Sequence, residues 1–172
     1  ARLVTDANYR QALGRQAKQD VLSQYHWEVI AHTQLHALFP STPVRGFRVL
    51  CANLLFAPQN FGGATIVVEQ LAQHLATQHH AEVLVFTGIW DHQRPLFAQE
   101  RYEVGAVSVI RINLPPALVE TEHEHGTLGE IFSALLAAWQ PDIVHFHAIQ
   151  HLGGAALAQA CVTRNIPFAI TL

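Results

Sequence analysis

Residues 47–73, FRVLCANLLFAPQNFGGATIVVEQLAQ, join an apolar run, a loop closing on Gly62-Gly63 and an amphipathic helix. A parallel α/β domain builds an anion site in this way. Residues 49–53 have the length and the apolar, β-branched content of a strand buried on both faces. Pro58 ends regular structure after it. Beyond the glycines, Ile66, Val67, Gln70, Leu71, His74 and Leu75 include the i, i+3, i+4 spacing of a helix with one buried stripe. Gly62 and Gly63 therefore stand at its start. Two residues without a Cβ let a ligand approach the backbone, while unpaired N–H groups and the positive end of the helix dipole favour a phosphate. Taken alone, a Gly-Gly pair reads first as a tight strand-to-helix turn.

Outward from this stretch, strand and helix alternate. A strand is expected over 82–88, an irregular stretch over 89–100, and two short strands over 101–104 and 107–112 around Gly105-Ala106. A loop rich in Pro, Glu and His covers 114–126. Helix 128–139, strand 142–147, helix 152–164 and strand 167–171 complete the run. Strands separated by helices imply right-handed crossovers, hence an α/β, Rossmann-like three-layer domain with a parallel sheet. The expected order of its five strands is 3-2-1-4-5, with the switch point between the first and fourth. Toward the N-terminus, residues 6–24 read as a helix with Tyr9, Leu13, Ala17 and Val21 on one stripe. Residues 27–39 read as a second helix, with Trp27, Ile30, Ala31, Gln34 and Leu38 inward, stopped by Pro40-Ser41-Thr42-Pro43. The expected organisation is a helical segment over 1–39, a linker over 40–46 and the α/β domain over 47–172.

Composition narrows the function classes. Half of the 172 residues are apolar, enough for a sizeable core. Net charge is −3 with a single lysine, Lys18, so the chain lacks the basic patch that a nucleic-acid binder needs. No apolar run approaches the roughly twenty residues that span a bilayer, and no charged leader precedes an apolar segment, so a cytoplasmic domain is expected. Cys51 falls in an expected strand and Cys161 in an expected helix, at no metal or redox spacing, and both read as reduced core thiols. Methionine is absent and alanine stands first, as in an excised piece of a longer protein.

Twelve histidines raise the question of a metal. Glu122-His123-Glu124-His125 is the densest run, but it lies in an expected loop with no scaffold or finger spacing, and a solvated acidic loop is the better reading. His79-His80 follows a helix, where histidine caps carbonyls. In the strand DIVHFH, alternation puts His145 and His147 on one face. Open α/β sheets bind ligands at the carboxyl ends of strands beside the switch point, where this strand end and the 53–63 loop converge. His145 reads as a buried structural residue; for His147, nearer the strand end, structural and functional roles stay open. Gly153-Gly154 reads as helix packing. Dinucleotide, P-loop and nucleophile-elbow signatures are missing.

Taken together, residues 48–172 resemble the first domain of a family 4 glycosyltransferase of the GT-B fold. Three pieces carry the resemblance: Gly62-Gly63-Ala64 with Val67, Val68, Glu69, Leu71 and Ala72 behind it; Pro141-Asp142-Ile143-Val144-His145-Phe146-His147; and Arg164-Asn165-Ile166-Pro167 leading into Ile170-Thr171-Leu172. Thr65 and Ala148 depart from the family pattern, which often has an acidic residue at the first position and Asp or Asn at the second. The resemblance implies a retaining sugar transferase with a nucleotide-sugar donor as substrate, no cofactor and no bound metal. It implies His147 at the reacting sugar, Gly62 and Gly63 on the donor diphosphate, and Asn60 and His145 along the acceptor side of the crevice. The implied partners are the donor, a sugar or glycolipid acceptor with a peripheral membrane contact, and a second domain that holds the nucleotide. Without that domain the chain is expected to be inactive. The first forty residues, through Leu13-Gly14, Val21-Leu22, Tyr25-His26-Trp27-Glu28 and Leu38-Phe39, resemble the closing helices of a preceding family 4 unit, with Trp27 and Leu38 expected to pack on the following domain. A non-catalytic α/β module binding phosphate or a nucleotide is the alternative.

Overall fold

The computed structural model describes residues 2–24, 30, 33–34, 46–59, 62–115 and 122–171, divided between two units, Ala1–Thr42 and Pro43–Leu172. In the first unit, α1 (Arg2–Thr5) is a single turn and α2 (Ala7–Gln24) is the expected first helix. Asp6 caps α2, its Oδ1 accepting the Tyr9 N–H at 2.9 Å. The expected stripe of Tyr9, Leu13 and Val21 is exposed. The second helix, with Trp27 and Leu38, lies almost entirely outside the described residues.

The second unit runs β1 (Arg48–Ala52), α3 (Gly62–Gln78), β2 (Glu82–Ile89), β3 (Gln99–Val104), β4 (Val107–Asn113), α4 (Glu122–Trp139), β5 (Ile143–Phe146), α5 (Gly154–Thr163) and β6 (Phe168–Ile170). The sheet order is β3-β4-β2-β1-β5-β6. Its five parallel strands keep the expected order, and β1 lies between β2 and β5 at the switch point. The sheet is not wholly parallel, because β3 is a sixth strand, antiparallel to β4 on the outer edge. The physical reason is the connection: the two residues Gly105-Ala106 can reverse a chain but cannot carry a crossover, and Gly105 takes the positive φ of 57° that such a turn uses.

Alternation divides the buried strand residues between two faces. Leu50, Leu84, Phe86, Ile110, Ile112, Val144 and Phe146 meet Leu128, Phe132 and Leu136 of α4 and Leu157 and Cys161 of α5 in one continuous core. The Phe132 ring lies 5.1 Å from that of Phe86 and 6.1 Å from that of Phe146, joining the two sides of the switch point. On the opposite face Val49, Cys51, Val83, Val85 and Val109 are buried on the side of α3, which contributes Val68, Leu71, Ala72 and Leu75. The glycines of Gly153-Gly154 are packing positions: a Cβ on Gly153 would stand 3.2 Å from the Leu128 Cβ, and one on Gly154 would stand 3.3 Å from Ile149 Cδ1.

Two local expectations change. Residues 122–125 form the first turn of α4 rather than a loop, which suits acidic residues near the positive end of a helix. The end of α3 carries a backbone cap: His80 takes a positive φ of 54°, and the N–H groups of His79 and Ala81 both reach the Leu75 carbonyl. No helix among the described residues is long and apolar enough to cross a membrane.

Candidate functional site

The chain leaves β1 through Asn53, which is 1% exposed and bonded on three sides. Its N–H donates to the Phe86 carbonyl, its Nδ2 donates to Leu55 O at 2.6 Å, and its Oδ1 accepts from Ala148 N at 3.0 Å. Leu54 N donates in turn to Ala148 O at 2.7 Å. One asparagine thus ties the loop after β1 to the loop after β5 across the switch point. Ala148 takes part only through its backbone, so the family's frequent Asp or Asn is not needed for this clasp.

The loop is held along its length. Leu54 O accepts from Gly88 N at 2.9 Å and from Thr87 Oγ1 at 3.1 Å. Phe56 is buried, and the Tyr102 hydroxyl donates to Ala57 O at 2.7 Å. Arg111 donates to Gln59 Oε1 at 2.9 Å, stands 4.9 Å over the Tyr102 ring and pairs with Glu100. Hydrogen bonds from Arg94 and Arg111 hold the Glu100 carboxyl below its usual range despite partial desolvation, so the pair stays ionised at neutral pH. The antiparallel β3–β4 edge therefore braces the approach to the glycines.

Gly62 and Gly63 open α3, as expected. Gly62 has a positive φ of 80°, which only glycine adopts without strain. Gly63 has no such constraint, and a Cβ on it would meet nothing within 4 Å among the described residues. Packing gives no reason for a glycine at 63. Asn60 lies outside the described residues. Thr65, the other departure from the family pattern, is buried.

His145 and His147 flank the end of β5 on the face of α3, 4% and 6% exposed. Their rings are in contact, with centroids 3.9 Å apart and planes inclined at 41°. His145 shares a hydrogen bond of 2.8 Å with the Thr171 hydroxyl. Nε2 of His147 is buried with no hydrogen-bond partner among the described residues. Burial pushes the His145 pKa down to about 4, and burial with the neighbouring His145 pushes that of His147 down to about 3. Both rings are neutral at pH 7. His147 can therefore give or take a hydrogen bond there, but it is not a proton donor of imidazolium type. By register, Arg111 and Thr87 are partners, and Asn53 and His147 each follow a paired residue, Ala52 and Phe146. A row of polar side chains thus crosses the carboxyl rim on the face whose helix begins at Gly62-Gly63.

The two buried thiols are inert, with pKa values pushed up by burial to about 12 at Cys51 and about 11 at Cys161. Among the described residues no three His, Cys, Asp or Glu side chains are grouped to hold a metal. Sequence reasoning missed Asn53 and its counterpart Asn113, each 1% exposed where an apolar strand ends. The available signal was an asparagine closing an apolar run, since a buried amide there needs partners on both sides.

The glycosyl transferase 4-like domain family matches residues 62–172, more than half of the chain. No curated protein matches it. Among solved structures, an E. coli trehalose-6-phosphate structure bound with UDP-2-fluoro glucose is similar over 72% of this chain and 32% of its own, at 16% identity and a TM-score of 0.45. The alpha,alpha-trehalose 6-phosphate synthase of Burkholderia multivorans is similar over 74% and 32%, at 12% identity and a TM-score of 0.42. The C-terminal domain of a hydrogenase from Pyrococcus furiosus is similar over 76% and 98%, at 13% identity and a TM-score of 0.49. The chain spans about a third of the length of the first two. At these scores the structural likenesses carry no argument of their own. The family match, which begins at Gly62 and ends beyond the His145-Phe146-His147 strand, does: this chain belongs to the glycosyl transferase 4-like domain family.

Proposed function

We propose that this domain is the acceptor-side half of a retaining glycosyltransferase that draws its sugar from a nucleotide-sugar donor without a bound metal. The observation that carries the reading is the buried Nε2 of His147, without a partner among the described residues, on the same carboxyl rim as Gly62-Gly63. An orphaned polar atom costs roughly 1–3 kcal/mol unless something bonds it. A sugar hydroxyl or a phosphate oxygen supplies that bond. As the donor bond breaks, negative charge grows on the leaving diphosphate, and the N–H groups at the start of α3 are fixed where such charge is stabilised. His147, neutral, orients the transferred sugar by hydrogen bonding rather than by giving it a proton.

The acceptor is a sugar or a glycolipid, the latter bringing a peripheral contact with the membrane. Reduced, buried Cys51 and Cys161 fit a reducing compartment such as the cytoplasm. Alone, the chain should not turn over, because a second domain must hold the nucleotide and set its angle of approach. The test is a protein extended to carry both halves, assayed with a panel of nucleotide sugars, with the product anomer read by NMR. Retention is expected, and His147→Ala should lower kcat by about a hundredfold or more. Absence of transfer from every donor, or product of inverted configuration, would refute the reading.

A further inference from the structure

A second feature of the carboxyl rim belongs to neither the glycine loop nor the histidines. Over the ends of β2 and β4 lies a cavity of about 210 Å³ lined by Trp90, Asp91, His92, Arg94, Leu96 and Leu114. We propose that it is an acceptor subsite that takes one uncharged sugar ring. The assignment to the acceptor rests on the glycosyltransferase reading; the binding of a sugar ring does not.

The cavity wall is built rather than accidental. Asn113, buried at the end of β4, donates through Nδ2 to the carbonyls of Asp91, Arg94 and Pro95 at 3.0, 2.9 and 3.1 Å and accepts the Asp91 N–H at 2.8 Å. Leu114 N donates to Ile89 O at 2.7 Å, and the Asp91 carboxylate accepts from Gln93 N at 2.9 Å. Asp91, Arg94 and Pro95 are thus pinned to the end of β4, and Leu114 ties that end to the end of β2. A ligand finds the wall already ordered, which lowers the entropy lost on binding.

The lining suits a pyranose. Trp90, Leu96 and Leu114 offer apolar surface to the C–H face of a ring, while Asp91 and His92 offer polar atoms to its hydroxyls. The indole Nε1 of Trp90 is buried without a partner among the described residues. Charge selects against an anion. Arg94 is already paired with Asp91, at 3.1 Å, and with Glu100, and Glu100 also holds Arg111. The guanidinium that lines the cavity is therefore neutralised, and a phosphate placed there would meet carboxylates with no unpaired cation in the lining to answer it. Size limits the ligand as well. The cavity is smaller than the roughly 300–1,000 Å³ of pockets for larger ligands, which leaves room for one ring and not for a nucleotide sugar. Its strand, β2, lies two strand spacings from β5 across β1, about 10 Å along the rim from the strand that ends in His147.

The experiment uses the 172-residue chain, labelled with 15N, and follows the Trp90 indole resonance. The probes are the methyl glycosides of glucose, galactose, mannose and N-acetylglucosamine, with glucose 6-phosphate and galactose 6-phosphate beside them. At least one glycoside should shift the resonance saturably in the millimolar range, and its 6-phosphate should bind about tenfold more weakly. Asp91→Asn, which preserves shape and the backbone bonds to Asn113, should narrow the gap between the glycoside and its phosphate by removing a carboxylate from the lining. No saturable shift with any glycoside overturns the proposal, as does a phosphate that binds as well as its parent sugar. In the two-domain protein, Trp90→Phe should raise the acceptor KM several-fold with the donor KM unchanged. Active transfer with an unmoved acceptor KM would remove the acceptor assignment and leave the glycosyltransferase reading intact. Glycoside binding in a protein that transfers nothing would do the reverse.

Discussion

Replacing His147 with glutamine removes one titrating ring from a buried pair while keeping a polar atom near the Nε2 position. The folded-state pKa values are about 3 for His147 and about 4 for His145, both depressed by burial. An unfolded histidine titrates near 6.5. The sign follows from where the protons go: below pH 6.5 the unfolded chain takes them up and the native chain does not, so stability present at pH 7 is lost as pH falls toward the folded values. Between pH 7 and pH 5 each ring should lose on the order of 2 kcal/mol, and the pair on the order of 4. A domain of this size has only about 5–15 kcal/mol to lose. The assay is urea unfolding at the two pH values in a Trp27→Phe background, so that Trp90 and Trp139 report on the second unit. Wild type should lose on the order of 2 kcal/mol more than His147→Gln, since Glu100 and the other acid-titrating groups are common to both and cancel in the difference. Equal losses in the two proteins would refute the claim that the imidazole of His147 is buried in its neutral form.

Gly63→Ala should leave stability unchanged or raise it by up to about 1 kcal/mol, since a Cβ there meets nothing and alanine favours helix; in the two-domain protein the same change should weaken donor binding about tenfold, read by calorimetry. Asn113→Ala, which strips four hydrogen bonds from the 91–95 segment, should cost about 2–3 kcal/mol in urea unfolding, and an effect under about 0.5 would show that the segment holds itself. Cys51 and Cys161 should resist Ellman's reagent at pH 8 in the native protein and react fully in urea, whereas prompt labelling of the native chain would mean that the surrounding core opens readily.

What could be read in advance follows a physical division. The five parallel strands and their order were legible because a strand buried on both faces must be continuously apolar, as in Val49 to Ala52 and Val83 to Phe86. The Gly105-Ala106 turn announced a hairpin as well, but whether β3 joins the sheet depends on pairing with β4, which local pattern does not carry. The first turn of α4 was hidden because Glu and His are compatible with loop and helix alike, and tertiary support beyond Leu128 decides. At the site, His147 and the glycines stood out by position. Asn53, Asn113 and the Arg111–Tyr102 brace did not, because each depends on a partner 18 to 95 residues away.

A chain is internally consistent where each local choice agrees with the fold, and departures from that agreement mark places kept for another reason. This domain departs at two points on one rim. Gly63 sits in a helix start where no described residue would meet a Cβ, and His147 keeps a buried nitrogen that no described residue bonds, its ring against a second neutral imidazole. The first choice forgoes helix stability and the second loses more of it at every step toward acid. Neither is repaid by packing among the described residues, none of which would meet a Cβ on Gly63 or reaches Nε2 of His147. Around them the structure shows the opposite tendency: Asn53 satisfies its amide on both sides, Arg111 is paired, and Tyr102 finds a carbonyl. A hydrogen-bonded surround holding groups that no described residue meets is what a preorganised binding site requires. A ligand with one anionic end for the helix start and one hydroxyl-bearing end for the imidazole answers both departures at once.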